Sequence, residues 1–115
     1  MLSRKNLVPL RKDFPRIKKD AKNYDSPSFG LLVSYQKTDE PAQAAFLVSK
    51  KVDRKSVVRH QVKRKLAEAV KSFLPRMAKN TQLVFLAKQK AVESRYEELK
   101  TEVQSILRRA RLITD

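Results

Sequence analysis

The sequence predicts a single-domain α+β fold of order α-β-β-α-β-α, one small mixed sheet covered by helices. Its 115 residues suit one domain, given a usual size of about 100–200 residues. Short apolar runs alternate with longer stretches in which apolar residues recur every third or fourth position, the periods of strands and amphipathic helices. No internal repeat or low-complexity tract interrupts them. The chain therefore reads as one unit over residues 1–115, with 1–9 an extended basic arm that holds Pro9 and no periodicity.

The elements follow in chain order. Leu10, Phe14 and Ile17 mark a short first helix with one apolar side, and Pro15 is expected near its start. Asp25-Ser26-Pro27-Ser28 is loop chemistry. A first strand runs from Phe29 to Gln36, with Phe29, Leu31, Val33 and Tyr35 on one side. Lys37 to Pro41 is a turn, and Ala44 to Ser49 a second strand with Phe46 and Val48 on one face. The short connection makes an antiparallel hairpin of these two strands the natural pairing. Ser56 is the expected N-cap of a long helix whose core stripe is Val58, Val62, Leu66, Ala69, Val70 and Phe73. Arg59, His60, Lys63, Arg64, Ala67 and Lys71 fall on its adjacent side, and Pro75 ends or kinks it. Gln82 to Ala87 is continuously apolar after its first residue and reads as a central strand buried on both faces. Lys88 to Ala91 is a basic loop. Ser94 and Glu97 read as a capping box for a last helix carrying Tyr96, Leu99, Val103, Ile106, Leu107 and Ala110 inward. Phe46, Val48, Val62, Leu66, Phe85, Leu99 and Val103 are expected in the core.

Composition narrows the chemistry. With 27 Lys+Arg against 12 Asp+Glu, the formal net charge is +15. So basic a body expects a polyanionic partner, nucleic acid first, because neutralising phosphates releases counterions. An anionic membrane surface is the second candidate, but the chain has no Trp and its apolar stripes are committed to a core. No apolar run approaches the ~18 residues of a membrane span, and no signal-peptide h-region follows the N-terminus. A cytoplasmic protein with no membrane or protein partner is the expectation. One glycine excludes a Gly-rich phosphate loop, and the absence of cysteine excludes disulfides and thiol catalysis. A single histidine, His60, excludes a multi-histidine metal site. The carboxylates are scattered, and Glu93, Glu97, Glu98 and Glu102 read as a solvated helix face favoured by the helix dipole. No catalytic residue, metal ligand or protein-bound cofactor is expected. His60 reads as a general base, a polar RNA contact or a surface residue.

The run from Phe46 to Leu66 holds Val48-Ser49-Lys50-Lys51-Val52, then Val57-Val58-Arg59, then Lys63-Arg64. This resembles the protein subunit of bacterial ribonuclease P, in which a strand ends in Val-Ser-Lys-Lys and a helix opens Val-x-Arg-Asn-x-x-Lys-Arg. Leu10-Arg11-Lys12-Asp13-Phe14 is similar to the family's first helix, Leu83 to Ala87 to its third strand, and Tyr96-Glu97-Glu98-Leu99 to its last helix. The resemblance covers about residues 4–107. The sequence departs from the pattern at His60, where the family has Asn, at Gln61 and Ala67, where arginine is common, at Asp53 for glycine, and at Lys88-Gln89 for Arg-Pro.

The resemblance implies a left-handed crossover between parallel strands, as in domains of a ribosomal protein and elongation factor G, against the usual right-handed preference. It implies that a catalytic RNA, holding Mg²⁺, removes the 5′ leader from precursor tRNA, while the protein binds that RNA and the leader. Lys50, Lys51, Lys55, Arg59, His60, Lys63 and Arg64 are then the candidates for the catalytic RNA, cations one turn apart along a phosphate track. The leader is expected in a cleft between the first helix and the open face of the sheet. Phe14 is either its stacking platform or a core residue sealing the helix. Tyr35 is a second aromatic candidate, and Lys12, Arg16 and Lys90 are candidate rim cations. Two alternatives stay open: a basic structural or ribosomal RNA-binding protein with no catalytic partner, and a nuclease using His60.

Overall fold

The computed structural model describes residue 2, residues 4–36 and residues 39–113. Its elements are α1 (Leu10–Asp20), β1 (Lys22–Asp25), β2 (Phe29–Tyr35), β3 (Gln43–Leu47), α2 (Ser56–Lys71), β4 (Thr81–Ala87), α3 (Lys90–Glu93) and α4 (Tyr96–Arg109), with 3₁₀ turns at Arg4–Asn6 and Leu74–Arg76. The α+β class holds, with one strand and one helical turn more than expected. Lys37 and Thr38 of the expected turn lie outside the described residues.

The sheet has four strands in the order β1-β2-β4-β3. The expected hairpin of β2 with β3 is not formed. β2 pairs antiparallel with β1 on one side and β4 on the other, and β3 pairs parallel with β4. The true hairpin is β1–β2, closed by Ser26 N–H donating to Phe29 O at 3.0 Å. β1 escapes a sequence reading because Lys22, Asn23 and Asp25 are polar and exposed; it exists as an edge strand satisfying β2's backbone. The physical reason for the pairing is β4. Leu83, Val84 and Phe85 are fully buried, so β4 takes an interior place with neighbours on both sides. The chain between β2 and β3 crosses the start of β4 instead of folding back. Asn80, at φ 75°, accepts from Gln36 N–H at 2.9 Å and donates to Glu40 O at 2.8 Å. Asparagine tolerates that left-handed backbone better than most residues.

The larger core lies between the sheet and α2 with α4. Phe85 stands at its centre, edge-on to Phe29 and stacked on Phe46, each with centroids 5.4 Å apart. Phe46, Val62, Leu66, Leu99 and Val103 are buried as expected. Val48 is only half-buried, because β3 ends at Leu47. Ala67, placed by the sequence on the basic side, is buried. A smaller cluster beneath α1 gathers Val8, Ile17, Leu32, Ala45 and Val84, with Phe14 half-buried against it. β2 is thus covered on both faces, Leu32 and Ser34 included, while Tyr35 at its end is 60% exposed.

The starts of α2 and α4 differ from expectation by one residue, and α2 ends at Lys71, short of Phe73 and Pro75. Ser56 is the first residue of α2 rather than its cap; Asp53 Oδ1 accepts from Lys55 N–H at 2.8 Å just before it. At α4 the N-cap is Arg95, whose N–H donates to Glu98 Oε1 at 2.8 Å. Ser94 instead donates to Lys90 O at 2.8 Å and bonds the Ser28 hydroxyl at 3.2 Å. The expected loop at Lys88 to Ala91 partly becomes α3. Pro15 lies inside α1, not near its start; it is exposed, and its missing N–H leaves one helical bond unmade. The arm is docked on the sheet: Leu7 bridges Ala44, Val8 N–H donates to Ala44 O at 3.2 Å, and Leu2 and Val8 are buried. Among the described residues no helix is long and apolar enough to cross a membrane.

Candidate nucleic-acid interface

The basic side of α2 meets the preceding loop around one recess of about 220 Å³, lined by Val48, Ser56, Arg59, His60 and Lys63. Residues one helical turn apart stack on one face, so Arg59 and Lys63 form a cation row, and His60 and Arg64 a second polar row beside it. Lys50, Lys51, Lys55, His60 and Arg64 are exposed, while Arg59 and Lys63 are half-buried. The loop is held in place. Val52 is buried and its N–H donates to Ser49 O at 3.0 Å. Arg59 Nη1 donates to Asp53 O at 3.1 Å and Arg54 O at 2.8 Å. Arg59 therefore positions the loop as well as contributing charge. No carboxylate lines the recess beside His60. Among the described residues no group of three His, Asp or Glu side chains is placed to hold a metal ion.

A larger groove of about 530 Å³ runs beside α1 and brings together Lys12, Arg16 and Tyr35, with Asp13, Gln36 and Gln43. Its floor is a polar network. Arg16 Nη1 donates to the Ser34 hydroxyl and to Tyr35 O, both at 3.1 Å, and Nη2 to Gln82 Oε1. Gln82 Nε2 donates to Asp13 Oδ2 at 2.9 Å and Gln43 Oε1 at 3.0 Å. Gln82 is fully buried, and these bonds satisfy both ends of its amide, as burial of a polar group demands. Arg16 thus ties α1 to the sheet.

Phe14 is not in that groove. Residues 12, 13, 16 and 20 share one side of α1, and Phe14 faces another with Leu10 and Ile17. It packs against the cluster of Leu32, as half-buried Leu86 also does. Leu32 and Leu86 in turn floor a recess of about 370 Å³ over the open end of the sheet, with Gly30 and Lys88. The sequence signal for it was Gly30, the single glycine. A Cβ there would meet only Tyr24 O at 3.8 Å, so the glycine leaves the floor bare rather than relieving a clash. Lys90 sits apart again, in a recess of about 500 Å³ with Val52, Asp53, Gln89, Val92 and Glu93.

A residue the sequence reading passed over assembles that last recess. Lys65 Nζ donates to Ala91 O at 2.9 Å, Val92 O at 3.2 Å and Ser94 O at 2.8 Å. It clamps α3 to α2 and so holds Lys90 beside the 50–55 loop. Burial pushes its ammonium below the ordinary lysine range. Nothing in a basic run distinguishes one inward lysine from its solvated neighbours; only the packing does.

The family model for ribonuclease P matches residues 2–111. The chain belongs to the ribonuclease P protein family. Membership makes it a subunit of the endoribonuclease that processes the 5′ ends of tRNA. It is 28% identical to the ribonuclease P protein component of Rippkaea orientalis, over 97% of this chain and 91% of that one. It is 33% identical to that of Symbiobacterium thermophilum, over 68% and 67%. The fold is that of the Staphylococcus aureus ribonuclease P protein, with TM-score 0.83 at 20% identity over 95% of this chain and 98% of that one. The Thermotoga maritima ribonuclease P protein superposes with TM-score 0.78 at 20% identity, over 90% and 96%.

Proposed function

We propose that this ribonuclease P protein acts in the cytoplasm by holding the catalytic RNA on α2 and its loop, and the precursor-tRNA leader beside α1. The observation that carries it is the convergence of Arg59, His60 and Lys63 on one recess, entered by the Lys50, Lys51 and Lys55 loop and continued by Arg64. Cations and polar groups one turn apart match successive phosphates, and arginine adds bidentate geometry. His60, facing cations rather than a carboxylate, serves as a hydrogen-bonding or stacking contact. The Mg²⁺ of the reaction is assigned to the RNA, as the family resemblance implies, and among the described residues no group of three His, Asp or Glu side chains competes for it.

Reconstitution tests the reading. At low Mg²⁺ the protein with ribonuclease P RNA is expected to cleave precursor tRNA at the 5′ end of the mature sequence, and neither component alone to do so. Cleavage by protein alone would restore the His60 nuclease, and an absence of stimulation would favour a structural RNA-binding role.

The leader is assigned to the groove of Lys12, Arg16 and Tyr35 beside α1, with Phe14, half-buried on another side of that helix, as its stacking platform and Lys90 as a more distant contact. Phe14→Ala is expected to weaken binding of leader-bearing precursor tRNA by ~1–3 kcal/mol, one base–aromatic stack. Mature tRNA should bind the holoenzyme unchanged. Thermal melting of the variant comes first, because Phe14 also seals α1. Equal losses for both tRNAs, or global unfolding, would remove Phe14 from the leader site.

A further inference from the structure

The basic face of α2 stops abruptly in the direction of its C-terminus. One turn beyond Lys63 comes Ala67, which is 1% exposed. Its cover includes the N-terminal arm. Leu2, Leu7 and Val8 come together with Lys63 and Ala67 around one apolar recess of about 260 Å³. The arm is held there by specific bonds besides burial. Val8 N–H donates to Ala44 O at 3.2 Å, Asn6 Nδ2 to Ala42 O at 2.9 Å, and Gln43 Nε2 to Lys5 O at 3.4 Å. Between the buried anchors Leu2 and Val8 the chain makes the Arg4–Asn6 turn, with Arg4 and Lys5 exposed.

We propose that this docked arm is an RNA-binding element, its Arg4 and Lys5 prolonging the α2 phosphate track past Ala67. The inference rests on the assignment of α2 to the catalytic RNA. A small buried residue at position 67 removes a cation from the helix but shares a recess with the arm, and the arm's turn, bonded to Ala42 and Gln43, carries two exposed cations. Because the arm is bonded to Ala42, Gln43 and Ala44, its charges are positioned without the entropic cost of folding a loose tail onto RNA.

The test is the Arg4→Ala/Lys5→Ala variant of the full chain, titrated with ribonuclease P RNA transcript across salt concentrations. Each phosphate neutralised contributes about 0.9 to the slope of log affinity against log salt. Losing two should make the variant's deficit shrink about tenfold between ~50 and ~200 mM salt. Lys79→Ala/Lys100→Ala removes the same charge from exposed positions elsewhere and should leave the slope unchanged. All these side chains are exposed, so folding should be retained. If the arm variant matches that control while Lys63→Ala/Arg64→Ala still loses affinity, the arm proposal is overturned and the α2 reading stands. If Lys63→Ala/Arg64→Ala also binds normally, the α2 reading fails and the arm proposal with it.

Discussion

Phe85→Ala is expected to destabilise the fold by about 3–5 kcal/mol, enough to leave little of a stability of roughly 5–15 kcal/mol. Phe85 is fully buried at the centre of the sheet and is the ring that both Phe29 and Phe46 contact. Its removal opens a cavity where β2, β4 and β3 meet, with fixed backbone on both sides and little means of collapse. Urea unfolding followed by circular dichroism reads the effect. Val48→Ala is the internal comparison. Because Val48 is half-buried beyond the end of β3, its loss should cost well under the ~2–5 kcal/mol expected of a buried apolar side chain. A Phe85→Ala midpoint close to the wild type, or equal costs at the two positions, would contradict the described core.

Lys63→Ala/Arg64→Ala is expected to weaken binding of the catalytic RNA by about 3–6 kcal/mol at low salt, two charge-assisted contacts at ~1.5–3 kcal/mol each. The slope of log affinity against log salt should become shallower by about 1.8. Arg64 is exposed and Lys63, which lines the arm's recess, lies outside both core clusters, so the melting temperature should change little. Arg59→Ala is a less clean probe. Its guanidinium also grips Asp53 O and Arg54 O, so removing it frees the loop that carries Lys50, Lys51 and Lys55. The Lys63/Arg64 pair isolates charge from loop order. Unchanged affinity and slope in that variant would remove α2 from the RNA interface.

Much of the site was legible because cations that bind RNA stay on the surface, and their helical spacing is written in the chain. Arg59, His60, Lys63 and Arg64 fall on one side of α2 by periodicity alone. What each surface cation does is another matter. Arg16 and Lys65 are basic residues in basic runs, yet one ties α1 to Ser34, Tyr35 and Gln82 and the other clamps α3. Those partners lie 18 or more residues away, where no local pattern reaches. Phe14 and Lys12 are near neighbours in sequence, but Lys12 lines the groove and Phe14 packs against the Leu32 cluster, because α1 turns them to different sides.

The α+β class, the stripes of α2 and α4, the interior character of β4 and the basic face were all readable from the chain. These depend on periodicity and on the burial of apolar side chains, which local composition records. Tertiary structure alone decided which strands pair. Leu83 to Phe85 needed cover on both faces, so β4 entered between β2 and β3 and displaced the hairpin that chain length favoured. That left β2 a free edge, which polar Lys22 to Asp25 closed as β1. Pairing energy comes from backbone groups that every residue possesses, so it is settled by which neighbour burial brings alongside and leaves little mark in the side chains.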